Sequence, residues 1–208
     1  SILLNGFDIV DWARGSGASV EAQGSLCGLS RRSRILALRR FAQMIFQDPY
    51  ESLNPRQKVF DIIVEPLNIH HNQLLKQEKT EKVRQAMEIC GLQPAEHFWS
   101  RYPSELSGGQ RQRVVIAGAV ILNPSLLVAD EPVSMLDVSI RAEILKLLRK
   151  LCDDHGISIL YITHDLATAS YFSDRVAVMY LGKIAEIGTA DEMFQQPKHP
   201  YTNALLSV

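Results

Sequence analysis

The sequence predicts an α/β domain: a core with a mainly parallel sheet, an antiparallel β portion at the N-terminus and an inserted helical subdomain. Three observations carry that expectation. Strand-like and helix-like segments alternate from Ser107 onward, the order that builds a parallel sheet with helical crossovers. The strand-like segments are apolar throughout rather than alternating, as strands covered on both faces are. Residues 57–105 lose the strand pattern and carry apolar residues at helical spacing instead.

The elements follow in order. Residues 2–4 and 7–10 flank Asn5-Gly6, a dipeptide that favours a two-residue hairpin turn. Residues 13–34 are rich in Gly, Ser and Arg without period and read as a loop. Arg31, Arg32, Arg34, Arg39 and Arg40 form a basic cluster, first a solvated surface and second a face for an acidic partner. Ala42 to Phe46 is a short apolar strand running into Gln47-Asp48-Pro49, and Tyr50 to Arg56 is a structured loop, so residues 1–56 make up the β portion. Within 57–105, Val83, Met87 and Cys90 stand at i, i+4 and i+7, and Gly91 can end that helix. A helix from Ser107 to about Val120 leads to the strand Leu126–Ala129. The next helix sets Ile140, Ile144, Leu147, Leu148 and Leu151 on one face, and Gly156 closes it. Ser158–Thr163 is an apolar strand, a short helix follows His164, and the strands Val176–Tyr180 and Ile184–Ile187 lie around Gly182. Residues 107–189 thus form the α/β core and 190–208 a C-terminal tail.

Composition narrows the function. A chain of 208 residues can bury a real core as one domain. Its formal net charge of −1 argues against a nucleic-acid partner. Cys27, Cys90 and Cys152 are far apart with no C-x-x-C, so they read as reduced thiols rather than a metal site or disulfides. No apolar run approaches the ~20 residues of a membrane span, and no signal-peptide pattern is present. The chain opens at Ser1 inside a strand-like run without an initiator Met, so an N-terminal truncation is expected.

Five short segments carry chemistry. In Ser107-Gly108-Gly109-Gln110, Ser is a good N-cap and the glycines let backbone N–H groups approach a ligand. The N-terminus of the following helix then suits phosphate. An ordinary capped helix explains Ser-Gly-Gly alone, but the continuation Gln110-Arg111-Gln112-Arg113 is rarely met by chance. Asp130-Glu131 ends an apolar strand, where a parallel sheet presents its ligand crevice. There Asp can hold Mg²⁺ and Glu can polarise an attacking water; a charged strand exit is the plainer alternative. His164 leaves the next apolar strand and could bond a phosphoryl oxygen or simply be a satisfied edge histidine. Gln47 ends the strand Ala42–Phe46, and its amide oxygen could ligate Mg²⁺. Asp137, in Ser134-Met135-Leu136-Asp137, sits where a helix N-cap belongs.

Taken together, Gln47, Leu106–Gln110, Asp130-Glu131, Ser134–Asp137 and His164 resemble, in order and spacing, the ATP-binding-cassette ATPases, a P-loop NTPase family with a RecA-like core. They are similar to its Q-loop, signature, Walker B, D-loop and H-loop, and the likeness covers essentially the whole chain. Phe46-Gln47-Asp48-Pro49-Tyr50, Ser52-Leu53-Asn54-Pro55-Arg56, Asp137-Val138-Ser139-Ile140 and His199-Pro200-Tyr201-Thr202 resemble the ATPase subunits of oligopeptide and dipeptide importers, a pattern that nickel importers share. The resemblance implies ATP and Mg²⁺, with Asp130 and Gln47 serving the metal, Glu131 the attacking water and His164 the γ-phosphate. It implies that Ser107, Gly108, Gly109 and Gln110 act on ATP held by a second ATPase subunit, identical or different, and that Asp137 meets that subunit. It further implies integral membrane permease subunits, indirectly a solute-binding protein, and a peripheral place on the cytoplasmic face of the cell membrane. A non-transport ATPase of the superfamily, or a non-catalytic subunit lending its signature to a partner, are the competing expectations.

The chain departs from that family in three places. No G-x-x-x-x-G-K-[ST] phosphate cradle occurs: Gly182-Lys183 is followed by Ile184, and Gly15-Ser16-Gly17 by no lysine. The aromatic residue that stacks on adenine is missing with it, so these 208 residues alone are expected to be incompetent for ATP hydrolysis. Gly118 stands where the family usually places Arg, and the loop 13–34 looks longer than usual in such importers.

Overall fold

The computed structural model of the protein describes residues 3–4, 7–8 and 31–207. Strands β1 (Leu3–Leu4) and β2 (Phe7–Asp8) pair antiparallel, Leu3 opposite Asp8 and Leu4 opposite Phe7, as the Asn5-Gly6 signal requires. The remaining positions of the expected hairpin (2 and 9–10), the loop residues 13–30 and Cys27 lie outside the described residues. Helix α1 (Arg31–Phe41) begins inside the segment expected to be loop, because Arg, Leu and Ala are good helix formers.

Strand β3 (Ala42–Ile45) follows directly. A single turn, α2 (Pro49–Ser52), then forms where a loop is predicted. Asp48 explains it: its Oδ1 accepts the Tyr50 N–H at 2.7 Å, and Pro49 occupies the first turn, where a missing N–H costs nothing. Helices α3 (Val59–His70) and α4 (Lys76–Ile89) bury Val59, Ile63, Val64 and Leu67, and Val83, Ala86 and Met87, respectively. Short α5 (Glu96–Trp99) and a 3₁₀ turn at Pro103–Glu105 lead to α6 (Gly108–Val120), which packs on α3, α4 and β3. The apolar core therefore runs without interruption from α3 and α4 through α6 into the sheet. Cys90 is fully buried in it, and burial pushes its thiol up to about 12. Cys90 and Cys152 are both free thiols.

Strand β4 (Leu126–Asp130), helix α7 (Val138–His155) and strand β5 (Ser158–Ile162) complete a three-stranded parallel sheet of order β3-β4-β5. The register sets Met44 beside Val128 and Leu160, and Ile45 beside Ala129 and Tyr161. The second row is covered: Ile45 and Ala129 are 0% exposed. In the first row Met44 is 41% and Leu160 55% exposed, so among the described residues the sheet is covered on one face. Apolar character on both rows thus announces a doubly covered sheet that these residues supply only by half. Helix α7 ends at Gly156, whose φ of 64° lets its N–H reach the Cys152 carbonyl at 3.0 Å.

The last two strands stand apart from the parallel sheet. After α8 (Leu166–Phe172), β6 (Arg175–Tyr180) and β7 (Lys183–Thr189) form a separate antiparallel pair. Leu181-Gly182 is only a hairpin's length of connection, and parallel neighbours need a dozen residues or more. Helices α9 (Ala190–Gln195) and α10 (Pro200–Leu206) form the tail. Glu186 on β7 anchors it by accepting the backbone N–H groups of Lys198 at 2.8 Å and His199 at 2.9 Å. The Thr202 hydroxyl beside it and those two N–H groups hold the Glu186 carboxyl below the usual range. Thr202 falls outside hydrogen-bond geometry, so the two N–H groups carry the tie.

Within α6, Gly118 has open space where a Cβ would stand. Gly118→Ala is therefore expected to raise stability by about 0.5–1 kcal/mol through helix propensity. Denaturant unfolding measures this, and a lowered midpoint contradicts it.

Candidate active site

The three parallel strands deliver their exits to one edge. Beyond Ile45 lies Gln47, beyond Asp130 lies Glu131, and beyond Ile162 lies His164, with Asp130 in register with Ile162. The Gln47 Nε2–H donates to Glu131 Oε2 at 2.9 Å. His164 Nδ1 lies 2.8 Å from Glu131 Oε1. A carboxylate only accepts, so the imidazole Nδ1–H is the donor. Two residues singled out from sequence thus converge on the carboxylate of a third, the Glu131 side chain 22% exposed and the His164 side chain 75% exposed.

Local backbone makes Glu131 the centre. Its φ is 43°, a left-handed conformation uncommon for a residue with a Cβ. Its N–H donates to the Ile162 carbonyl at 2.9 Å, and its carbonyl accepts the Ser134 hydroxyl at 3.0 Å. The residue after His164 anchors the backbone that presents it. Asp165 caps α8 by accepting the N–H groups of Ala167 and Thr168 at 3.0 and 3.2 Å, and pairs with Arg141 of α7 at 3.1 Å.

The donor set fits a magnesium ion. Because Gln47 turns its amide nitrogen to Glu131, its amide oxygen is the atom left to face a cation. Asp130, half-buried at the end of β4, adds a carboxylate. Mg²⁺ prefers oxygen and takes one or two carboxylates together with water and substrate phosphates. Among the described residues no cluster of three or more His, Cys, Asp or Glu could hold a metal.

The Ser107–Gln110 turn is built as a capping box. The Gln110 N–H donates to Ser107 Oγ at 3.3 Å, and the Ser107 N–H donates to Gln110 Oε1 at 3.0 Å. The Gln110 side chain is thus spent on the turn itself. The two glycines, read alike from sequence, differ. A Cβ on Gly109 would stand 2.6 Å from Ile140 Cγ2, so α7 requires glycine there. A Cβ on Gly108 would meet only ordinary contacts, 3.5 Å from Leu136 Cδ2 and 4.0 Å from Tyr50 Oη. Asp137 occupies the N-cap position of α7, exposed, but its side chain makes no cap bond. No hydrogen bond or ion pair joins the turn at 107–110 to the Gln47–Glu131–His164 group.

Two arginines missed in the sequence hold the helix behind that turn. Arg113 donates to the Cys90 carbonyl and to Glu143 Oε2, both at 2.8 Å, tying α4 to α7 through α6. Arg111 donates to the Pro103 carbonyl at 2.6 Å and lies over the Tyr50 ring at 4.1 Å. Their only sequence signal is the string Gln110–Arg113 as a whole. His70 and His71, given no role from sequence, have lowered pKa values, through burial and then the nearby Arg40 and other cations.

Comparison with known proteins bears on this arrangement. Residues 17–134 match the family described as ABC transporter. The chain is 49% identical over 180 residues to the oligopeptide transport ATP-binding protein OppF of Bacillus subtilis (strain 168), covering 86% of this chain and 58% of that protein. It is 52% identical over 171 residues to OppF of Escherichia coli (strain K12), covering 82% of this chain and 51% of that one. Likeness to the glutathione import ATP-binding protein GsiA of Escherichia coli O6:H1 is 53% over 174 residues, covering 84% of this chain and 27% of GsiA. The chain thus spans little more than half the length of the OppF proteins. Among solved structures, the dimeric post-hydrolysis state of the ATP-binding cassette MJ0796 bound to ADP and Pi aligns with a TM-score of 0.67 at 27% identity, over 78% of this chain and 68% of that one. The structure of cbiO1 from Clostridium perfringens aligns with a TM-score of 0.70 at 31% identity, over 79% and 63%.

Proposed function

This chain belongs to the ABC transporter family, and from that premise we propose that it is the ATP-hydrolysing subunit that energises an importer of peptides. The observation that carries the proposal is the convergence of Gln47 and His164 on Glu131 at the C-terminal edge of the sheet. Similarity to ATP-binding subunits named for oligopeptide transport supports the substrate class.

In this reading Glu131 accepts a proton from the attacking water as its oxygen bonds the γ-phosphorus and the bond to the β-phosphate oxygen breaks. Gln47 and His164 hold the carboxylate in place, each through one of its oxygens. A γ-phosphate arriving at His164 competes with Glu131 for the imidazole N–H, linking the presence of nucleotide to the freedom of the base. Asp130 and the Gln47 amide oxygen would hold Mg²⁺, which when bound neutralises charge on the phosphoryl oxygens. Gly108 and Gly109 turn backbone N–H groups, and Ser107 its hydroxyl, toward the nucleotide of a second ATPase subunit, and the capping box of Ser107 and Gln110 keeps that turn in shape. Asp137, exposed and without a cap bond, contacts that subunit. Residues 57–105, read as a helical subdomain, face the permease, and the protein sits peripherally at the cytoplasmic side of the membrane.

The test uses the full-length protein with its permease and solute-binding subunits in membrane vesicles. ATP-dependent accumulation of a labelled oligopeptide is expected. Accumulation of labelled nickel without peptide, or peptide uptake indifferent to ATP, rejects the reading.

A further inference from the structure

At the N-terminal edge of the sheet, opposite the edge that carries Glu131, a cavity of about 410 Å³ opens between α4, the connection into β4 and the end of α7. Its volume falls in the ~300–1,000 Å³ range of small-molecule sites. Ile89, Ile121 and Leu151 give it an apolar lining. Lys82 of α4 and Asp154 of α7 line it together without forming an ion pair, and among the described residues neither charged group has a hydrogen-bond partner. Stability explains neither charge. Lys82 is half-buried, where an unpaired ammonium costs free energy. Asp154 stands in the last turn of α7, where the helix carbonyls disfavour a negative charge. The cavity therefore has a positive end and a negative end. Burial, then Arg40 and Lys82, hold the nearby His71 below its ordinary pKa, so further positive charge backs the first end. The carbonyl end of α7 deepens the second. Gln85 and Asn123, also in the lining, offer amide groups to either charge.

We propose that this cavity binds a small zwitterion with an apolar side chain, its carboxylate on Lys82 and its ammonium on Asp154. An α-amino acid and a short peptide share that chemistry: each carries one group of either sign and an apolar body for the lining. The ligand bridges α4 to α7 and supplies each unpaired charge with its counter-charge. None of these residues belongs to the Gln47–Glu131–His164 group, so the site stands whether or not the chain energises transport.

The experiment titrates the purified full-length protein, free of permease and solute-binding subunits, with L-leucine and with leucyl-leucine in a calorimeter. A Kd below about 1 mM is expected for at least one of them. Tighter binding of leucine assigns the site to amino acids, and tighter binding of leucyl-leucine to peptides. Lys82→Gln and Asp154→Asn should each weaken that binding about tenfold or more, the scale of a lost charge-assisted hydrogen bond. Their Tm should stay within about 2 °C, and their ATP binding should be unchanged. N-acetyl-leucinamide, which carries neither charge, should not bind, and this comparison needs no substitution. Absence of saturable binding by either zwitterion up to about 10 mM overturns the site. N-acetyl-leucinamide binding as tightly as leucine, or an affinity unmoved in either variant, overturns it as well.

Discussion

Glu131→Gln in the full-length protein is expected to slow ATP turnover by about 10²-fold or more, the scale of a lost general base, while ATP binding stays within a few-fold. The argument is geometric. Both carboxylate oxygens of Glu131 are engaged, one by Gln47 and one by His164, and the side chain is only 22% exposed. Glutamine fills the same volume but has one oxygen, so it can accept from one of the two neighbours. It turns an NH₂ toward the other, and neither atom can take a proton from water. The fold has no reason to fail, because the backbone bonds of residue 131 to Ile162 and Ser134 are untouched. Phosphate release and a nucleotide titration measure the two halves of this expectation. Turnover like that of the unchanged protein removes Glu131 from the role of base.

The second large effect separates the two glycines. In Gly109→Ala the new methyl group lands 2.6 Å from Ile140 Cγ2, a branched side chain with little freedom to yield. Overpacking of this kind costs about 1–3 kcal/mol, against at most about 1 kcal/mol gained by removing a glycine from a helix. The clash wins, and a net loss of about 1–2 kcal/mol corresponds to a Tm lower by about 2–8 °C for a chain of this size. Gly108→Ala meets only ordinary contacts, so its Tm should stay near that of the unchanged protein. If Gly108 acts through a closely approaching backbone N–H, its turnover falls nonetheless. Thermal unfolding and phosphate release on the two variants check this. Equal Tm values would mean that Ile140 gives way.

Gln47, Glu131 and His164 are legible in the sequence because each stands just past an apolar strand, and Ser107–Gln110 because its string is rarely met by chance. That position makes Gln47, Glu131 and His164 candidates, and their order along the chain with Ser107–Gln110 and Asp137 singles them out. Their meeting cannot be read this way, since the two hydrogen bonds span 84 and 33 residues and depend on strand order. Arg113 was unreadable for the same reason: it satisfies a carbonyl at the end of a helix 23 residues earlier. The turn α2 is readable, because Asp48-Pro49 is a cap followed by a helix-starting proline, yet Pro49 and Pro55 so close together make it look like loop. Pattern alone cannot say whether a strand apolar on both faces finds cover twice, and here Leu160 stays 55% exposed among the described residues. The glycines of the Ser107 turn looked alike because a sequence has no record of Ile140 lying against one of them.

The backbone of Glu131 has a consequence for how this position tolerates change. At a φ of 43° a residue with a Cβ sits against its own preference, a burden of about 1–2 kcal/mol. Glycine or asparagine would relieve it. In the proposed reading that strain is what places a carboxylate between Gln47 and His164.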